Sequence, residues 1–242
     1  MNKISKFVWI GLIINVLWLG ILASIMLEAF NYLWFIIIPF FIAMTFQLVS
    51  VSVLFKTSKL GLALAVLGSL IMLPFSMVFF IGYLFSYENI RNNGLKAYKS
   101  IDNKNPESEL NFNTSKLAMQ GLLFVIIGLV FIGVFVGWLF LCLGLILILN
   151  SFRLKNTIML GLLDNNIIVT PGMNAQTYLI PLSNVMVIKE DKKIVKLHIL
   201  SAGVNRECSF RKSLIKNENN RSVLGDIISK LAAQDKRTMA AR

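Results

Sequence analysis

Long apolar runs dominate the first 150 residues, and short polar segments separate them. The runs, none of which contains a charged residue, occupy residues 7–27, 32–55, 60–85 and 117–150. About 20 apolar residues carry a helix through the hydrocarbon core of a bilayer. The pattern predicts three transmembrane helices in residues 1–85 and a polar connector in residues 86–116. Pro39 and Pro74 are expected to kink the second and third helices.

The last apolar run is too long for one upright helix and short for two. As one helix it would measure about 51 Å, against a hydrocarbon core of about 30 Å. Gly133, Gly137 and Trp138 lie near its midpoint. Because Trp is enriched at membrane interfaces, we predict an apolar helical hairpin over residues 117–152, turning near Gly133–Trp138. This gives five spans and an N-terminus outside. One long tilted helix is the alternative, with four spans and both termini inside.

The polar side chains inside the runs are uncharged. They are Asn15, Ser24, Thr45, Gln47, Ser50, Ser52, Ser69, Ser76 and Gln120. Proton relays and ion pathways usually need ionisable groups within the helix bundle. We therefore expect these residues to hold helices together by hydrogen bonds rather than to line a transport path. Gly133 and Gly137 also match the GxxxG pattern, which allows close contact between membrane helices.

The residues after 152 follow the pattern of a β-rich domain. Short apolar segments are separated by turn signals such as Asp164-Asn165-Asn166 and Pro171-Gly172. Residues 194–200 alternate between apolar and polar positions, as a half-buried strand does. Residues 222–234 carry an apolar stripe at helical spacing. We predict that residues 153–242 form a small antiparallel β-barrel or sandwich with a C-terminal helix. A weak strand signal at residues 110–114 could join it.

Two segments of this part resemble bacterial pleckstrin-homology-like (PH-like) domains. Those domains often show a "dngi" hairpin, here at residues 164–167, and an "IPWxDI" segment, here Ile180 to Val185. Leu182 replaces the usual Trp, and Asn184 replaces the usual acidic residue. The resemblance covers about residues 110–235 and implies a bacterial protein with a PH-like domain. Many such proteins carry an apolar helical hairpin before the domain. The basic first hairpin with which some PH-like domains bind acidic lipids is not basic here.

Composition and charge indicate a membrane protein with a cytoplasmic domain. Of 242 residues 15% are charged, and the mean hydropathy is +0.72. Soluble domains carry about 25% charged residues. The net charge of +12 divides into +4 for residues 1–150 and +8 for residues 151–242. Because cytoplasmic segments are enriched in Lys and Arg, we predict that the β-rich part is cytoplasmic. No nucleic-acid partner is predicted, since no binding motif accompanies the charge.

Basic residues of the later strands form the candidate site. We consider a basic patch that faces an anionic leaflet, where each charge near the surface contributes about 1 kcal/mol, and a plain solvated surface as the alternative. The candidate residues are Lys189, Lys192, Lys193, Lys196, Arg206, Arg211 and Lys212. We predict no catalytic, cofactor-binding or metal-ligating residues. The single histidine, His198, and the cysteines Cys142 and Cys208 supply neither a zinc ligand set nor a nucleophile signature.

These features predict a non-enzymatic, multi-pass protein of the bacterial inner (plasma) membrane. It would present its cytoplasmic PH-like domain for protein or membrane-surface binding and assembly. The expected partners are the lipid bilayer, an unidentified protein and further copies of the chain in a homo-oligomer. One alternative is an immunity-type or regulatory membrane protein that acts on another membrane protein. The other is a transporter subunit, which would need a polar pathway through its helices.

Overall fold

The computed structural model of the chain describes residues 4–29, 35–98, 106–201, 203–216 and 220–240. The chain divides into two compact units. The helical unit contains Met1–Arg91 and Phe124–Leu143. The β unit contains Asn92–Leu123 and Gly144–Arg242. The first boundary between the units therefore follows Arg91. The other two fall inside the apolar run of residues 117–150, whose middle belongs to the helical unit.

The first part of the helical unit consists of helices with mostly apolar sequences. They are α1 (Lys6–Ala29), α2 (Ile38–Val53), α3 (Ser58–Ile71) and α4 (Met77–Arg91). Residues 35–37 form a 3-10 turn before α2, and residues 32–34, where the second span was predicted to begin, lie outside the described residues. Pro39 lies in the first turn of α2. The N–H groups in the first turn of a helix have no intrahelical partner, so proline breaks no hydrogen bond there and the expected kink does not arise.

The third predicted span is two short helices instead of one kinked helix. Residues 72–76 interrupt it between α3 and α4, and Pro74 lies within the interruption. Proline removes a backbone donor and its ring collides with the preceding helical turn, so the helix ends before it. The chain then reverses. The Ser76 hydroxyl donates to the Ser69 carbonyl oxygen over 2.6 Å, which joins the end of α3 to the beginning of α4.

The long apolar run contains two helices, α5 (Thr114–Val130) and α6 (Phe135–Arg153). Residues 131–134 connect them. The ring of Phe124 in α5 contacts the ring of Phe140 in α6. Their centroids are 5.7 Å apart and their planes are tilted by 57°. Gly133 lies in the connection, whereas Trp138 belongs to the first turns of α6.

Glycines set the close approach of α5 and α6. A Cβ atom added to Gly121 would lie 2.9 Å from the Gly144 carbonyl oxygen, and one added to Gly128 would lie 2.6 Å from the Leu141 nitrogen. Both distances are too short for a side chain, so larger residues would push the helices apart. By contrast, a Cβ atom added to Gly133 would meet nothing within 4 Å. The close backbone approach of the two helices therefore occurs at Gly121 and Gly128 and not at Gly133.

Five spans are not supported by the lengths of these helices. Among the described residues, three segments are long and apolar enough to cross a membrane: Lys6–Met26, Phe35–Val53 and Phe135–Arg153. The helices α3 and α5 are apolar but shorter. At 1.5 Å per residue, the 14 residues of α3 extend about 21 Å, well below a hydrocarbon core of about 30 Å.

Two antiparallel sheets form the centre of the β unit, which confirms the prediction of a β-rich C-terminal part. The described strands are β1 (Lys96–Ala97), β2 (Ser108–Asn111), β3 (Ile158–Leu163), β4 (Asn166–Val169), β5 (Tyr178–Pro181), β6 (Val185–Glu190), β7 (Ile194–Ser201) and β8 (Val204–Arg211). One sheet has the order β1-β5-β4-β3-β2 and the other β6-β7-β8. A 3-10 turn, Leu182–Asn184, links β5 to β6.

Residues predicted to be a polar connector supply two strands of the first sheet. The short β1 pairs with β5, and β2 pairs with β3, where Leu110 lies opposite Leu160. Phe112, just after β2, forms a bridge with Ile215, which follows a 3-10 turn, Lys212–Leu214, at the end of β8. The strand signal at residues 110–114 therefore corresponds to a real strand that begins two residues earlier. The β unit is built from segments on both sides of the α5–α6 pair.

The core of the β unit follows the strand alternation and one helix face. Val195, Leu197 and Ile199 of β7 point inward and are at most 1% exposed. The helix α7 (Asn220–Ala240) packs Leu224, Ile227 and Leu231 onto the same core. Their spacing of three and four residues places these side chains on one face of the helix. The predicted C-terminal helix is thus confirmed, and its apolar stripe is the face that covers the sheets.

Candidate functional site

Six of the seven predicted basic residues come together at one end of the three-stranded sheet. Lys189 and Lys196 lie opposite each other on β6 and β7. The backbone N–H of Lys212 donates to the carbonyl oxygen of Lys193 over 2.9 Å, which brings the end of β8 to the β6–β7 turn. We call this set the basic end. It comprises Lys189, Lys192, Lys193, Lys196, Arg211 and Lys212.

Two acidic residues of the same turn offset part of this charge. Lys189 pairs with Asp191 at 2.9 Å, and Lys212 pairs with Glu190 at 2.7 Å. Ion pairs at the surface contribute little to folding stability, because water and salt screen them. Six basic and two acidic side chains leave the basic end with a positive excess. This excess is available to an anionic partner.

Arg206, the seventh predicted residue, does not belong to this surface. It is 8% exposed, and its Nη1 donates to the Asn92 side-chain oxygen over 2.8 Å. The reason is the alternation of β8, which turns Val204, Arg206 and Cys208 toward the interior. The sequence indicates this position, because Arg206 lies two residues from both Val204 and Cys208 and therefore on the same face of the strand. A buried cation needs such partners, so Arg206 acts in holding Asn92 against the β unit.

Apolar side chains lie exposed on the same three-stranded sheet, beside the basic end. Met186 and Ile188 of β6 are 38% and 48% exposed, and Leu200 of β7 is 56% exposed. Met186 pairs with His198 across the strands, which puts Leu200 on the diagonal to Met186. Neighbours on such a diagonal are within reach of long side chains. The outer face of the sheet therefore combines an apolar part with a positively charged part.

The remaining candidates for chemistry have ordinary surroundings. The Nε2 atom of His198 lies 2.7 Å from the Asn205 side-chain oxygen on the exposed face. Cys142 and Cys208 are buried free thiols, and neither forms a disulfide. Within the described part of the chain, no group of three His, Cys, Asp or Glu residues could hold a metal ion.

A polar cluster joins three helices inside the helical unit. The Asn15 amide of α1 donates to the Gln47 side-chain oxygen of α2 over 2.7 Å. The Gln47 amide in turn donates to the Gly68 carbonyl oxygen of α3 over 3.2 Å. Both Asn15 and Gln47 are fully buried. These bonds agree with the expectation that polar residues in the runs hold helices together.

Two oxygen atoms near this cluster have no hydrogen-bond partner among the described residues. They are the side-chain oxygen of Asn15 and the hydroxyl of Ser69. Buried polar groups are usually paired, often by an ordered water. These two oxygens could therefore still accept or donate hydrogen bonds. The β unit also buries polar side chains, among them Thr170 and Arg206.

Comparison with known proteins does not help to interpret this geometry. No protein-family model, no curated protein and no solved structure matches the chain.

Proposed function

We propose that this chain is a multi-pass membrane protein whose β unit acts by binding rather than by catalysis. The observation that carries the proposal is the outer face of the β6-β7-β8 sheet. Exposed apolar side chains at Met186, Ile188 and Leu200 adjoin the basic end there. Surfaces that bind at a membrane interface combine buried apolar area with electrostatic attraction to anionic lipids.

The partner that this surface fits best is the anionic leaflet of the membrane in which the chain is anchored. Basic residues near such a leaflet contribute about 1 kcal/mol each. Anchoring by the helices would keep the β unit close to the leaflet, so a weak surface attraction suffices. A protein partner with an acidic surface, including a membrane protein that this chain regulates, would use the same residues.

From the resemblance to PH-like domains we further propose that the membrane is a bacterial inner membrane and that the β unit lies in the cytoplasm. Two antiparallel sheets and the covering helix α7 support a PH-like fold for the β unit. The apolar pair α5–α6 corresponds to the helical hairpin that accompanies many such domains. A cytoplasmic β unit also agrees with the excess of Lys and Arg in residues 151–242.

A transporter subunit is the second candidate. It is favoured by the polar cluster of Asn15 and Gln47 with its two unpartnered oxygens. However, most polar groups of the cluster bond to one another, and the predicted apolar runs contain no Asp, Glu, Lys, Arg or His. The binding role therefore accounts for more of the chain.

The test uses the full chain in lipid nanodiscs and hydrogen exchange of the β6–β7 turn. We expect slower exchange at residues 189–196 in discs with anionic lipid than in zwitterionic discs, and loss of this protection at high salt. Lys193→Glu should abolish the difference. Lys216→Glu makes the same charge change at another exposed lysine, beside β2, and should preserve it. Equal exchange in both kinds of disc would refute leaflet binding and leave an acidic protein as the partner.

A further inference from the structure

The helices α3 and α4 lie side by side and antiparallel. Gly61, near the beginning of α3, is so close to Tyr83 of α4 that an added Cβ atom would lie 2.5 Å from the tyrosine hydroxyl. At the other end, Ser69 and Ser76 are joined by their hydrogen bond. The chain thus runs along α3, reverses at residues 72–76 and returns along α4. We call these five residues the tip.

The tip lies level with the middle of α1. The Trp18 ring stacks on the Phe75 ring with centroids 3.9 Å apart, and 11 more residues of α1 follow Trp18. At the other end, the Ser5 N–H donates to the Ser86 hydroxyl over 2.8 Å, so α4 ends where α1 begins. From Ser86 back to Met77 the helix rises about 14 Å, roughly half of a hydrocarbon core.

A reversal at this depth needs partners for its backbone groups, because no water is available in the hydrocarbon region. The structure provides them from side chains. Gln47 donates to the carbonyl oxygen of Gly68, and Ser76 donates to that of Ser69, both in the last turn of α3. The last carbonyls of a helix otherwise lack intrahelical partners. These hydrogen bonds lower the free-energy cost of reversing the chain inside the bilayer.

The basic residues around these helices lie at one end of the helical unit. Lys6 begins α1 and Arg91 ends α4. Lys56 lies in the connection between α2 and α3, and Lys59 is in the first turn of α3. Gly82 contacts the first turn of α1, and its neighbour Tyr83 contacts the first turn of α3. The beginnings of α1 and α3 and the last turns of α4 are therefore at the same end.

From these contacts we infer that α3 and α4 form a re-entrant hairpin, which enters the membrane and leaves it on the same side. The inference rests on the proposal that α1 and α2 cross a bilayer. It places Lys6, Lys56, Lys59 and Arg91 at one leaflet, in agreement with the positive-inside rule. Residues 30–37 and 131–134 contain no Lys or Arg. The N-terminus and the β unit then share the cytoplasmic side, against the outside N-terminus of the five-span prediction.

Three single cysteines in the full chain test this topology. The background is Cys142→Ala with Cys208→Ala, and the positions are Thr57→Cys, Asn93→Cys and Glu28→Cys, all at exposed residues. Right-side-out and inside-out membrane vesicles are treated with a membrane-impermeant maleimide. We expect Thr57→Cys and Asn93→Cys to react in the same kind of vesicle, and Glu28→Cys to react in the opposite kind. Labelling in detergent serves as the control for reactivity.

The outcomes separate the hairpin from the proposed membrane crossing. If Thr57→Cys and Asn93→Cys react from opposite sides, α3 and α4 cross as one span and the inference is wrong. Reaction of either residue only in detergent would place it within the bilayer and would also contradict the hairpin. If Glu28→Cys reacts from the same side as Thr57→Cys, then α1 and α2 do not cross, and both the proposed anchoring and this inference fail.

Discussion

The helical unit leaves many large apolar side chains exposed, whereas the two sheets of the β unit leave few, although both units bury apolar side chains. The helical unit buries Asn15 and Gln47 completely, while Ile13 and Leu17 of the same helix α1 are 60% and 63% exposed. The β unit buries Ile167 and Ile199 completely. Large apolar side chains on a protein surface are costly in water and cost nothing in lipid. On the proposed membrane location of the helical unit, exposure has a different meaning in each unit, because one surface meets lipid and the other meets water.

The two units also use small residues differently. In the helical unit, Gly68 touches α2 so closely that an added Cβ atom would lie 2.6 Å from the Ala43 carbonyl oxygen. Lipid tails supply no hydrophobic driving force between helices, so close backbone contact and hydrogen bonds take its place. In the β unit, branched side chains such as Val195 and Ile199 fill the space between the sheets and α7. The hydrophobic effect drives that packing.

The strongest way to break the β unit is a charge in its apolar core. Ile227 of α7 is 1% exposed, so Ile227→Asp buries a carboxylate without a partner, which costs several kcal/mol. We expect loss of the cooperative unfolding transition of the β unit in the full chain, followed by circular dichroism and limited proteolysis. Ser229→Asp makes the same charge change two residues later on the exposed face and should leave the transition intact. A native-like melt of Ile227→Asp would contradict the assigned core.

A matched pair of exposed leucines tests whether the two surfaces meet different solvents. Leu17 and Leu200 are 63% and 56% exposed. An aspartate at the centre of a membrane helix costs about 2.5–3.5 kcal/mol for insertion, so Leu17→Asp should reduce the carbonate-resistant membrane fraction strongly. Leu200→Asp should leave this fraction and the melting temperature of the β unit unchanged, because exposed substitutions usually stay within about 0.5 kcal/mol. Similar behaviour of the two variants would contradict the lipid-facing assignment of α1.

The smallest expected effect concerns the polar cluster. Gln47→Leu removes the bonds to Asn15 and to the Gly68 carbonyl oxygen. Hydrogen bonds between membrane helices contribute about 0.6 kcal/mol on average and up to about 1.7 kcal/mol. We therefore expect a modest loss of stability on titration with a denaturing detergent. Thr45→Val is the control, since the Thr45 hydroxyl bonds to its own helix at Phe41. Loss of a specific solute flux in Gln47→Leu would instead support the transporter role.

Much of the β unit could be predicted from the sequence because strands and amphipathic helices have a local signature. The alternation of residues 194–200 and the stripe of Leu224, Ile227 and Leu231 identified buried faces correctly. The alternation of β8 also indicates an inward Arg206, although arginine is usually found on the surface. The basic end could be predicted as a group of residues, while its position beside Met186 and Leu200 required the register of β6 on β7.

Topology in the helical unit was harder to predict. A run of 26 uncharged residues, 60–85, has the composition of a membrane span whether it crosses or reverses. Hydropathy reflects the preference of each residue for lipid or water. It carries no information on the direction of the chain. Locally, Pro74 is compatible with a kink, which many membrane helices tolerate. The contacts that stabilise a reversal come from residues distant in sequence. Gln47 and Gly68 are 21 positions apart.

By itself, the sequence determined the kind of environment that each segment enters and the periodicity with which it buries side chains. That is so because transfer free energies and helix or strand geometry are properties of local residues. Only the tertiary structure decided that α4 folds back along α3, that Arg206 reaches Asn92, and that residues 108–111 complete the first sheet. Each of these depends on pairing between distant segments, where the free energy of contact must exceed the entropy of closing the intervening chain.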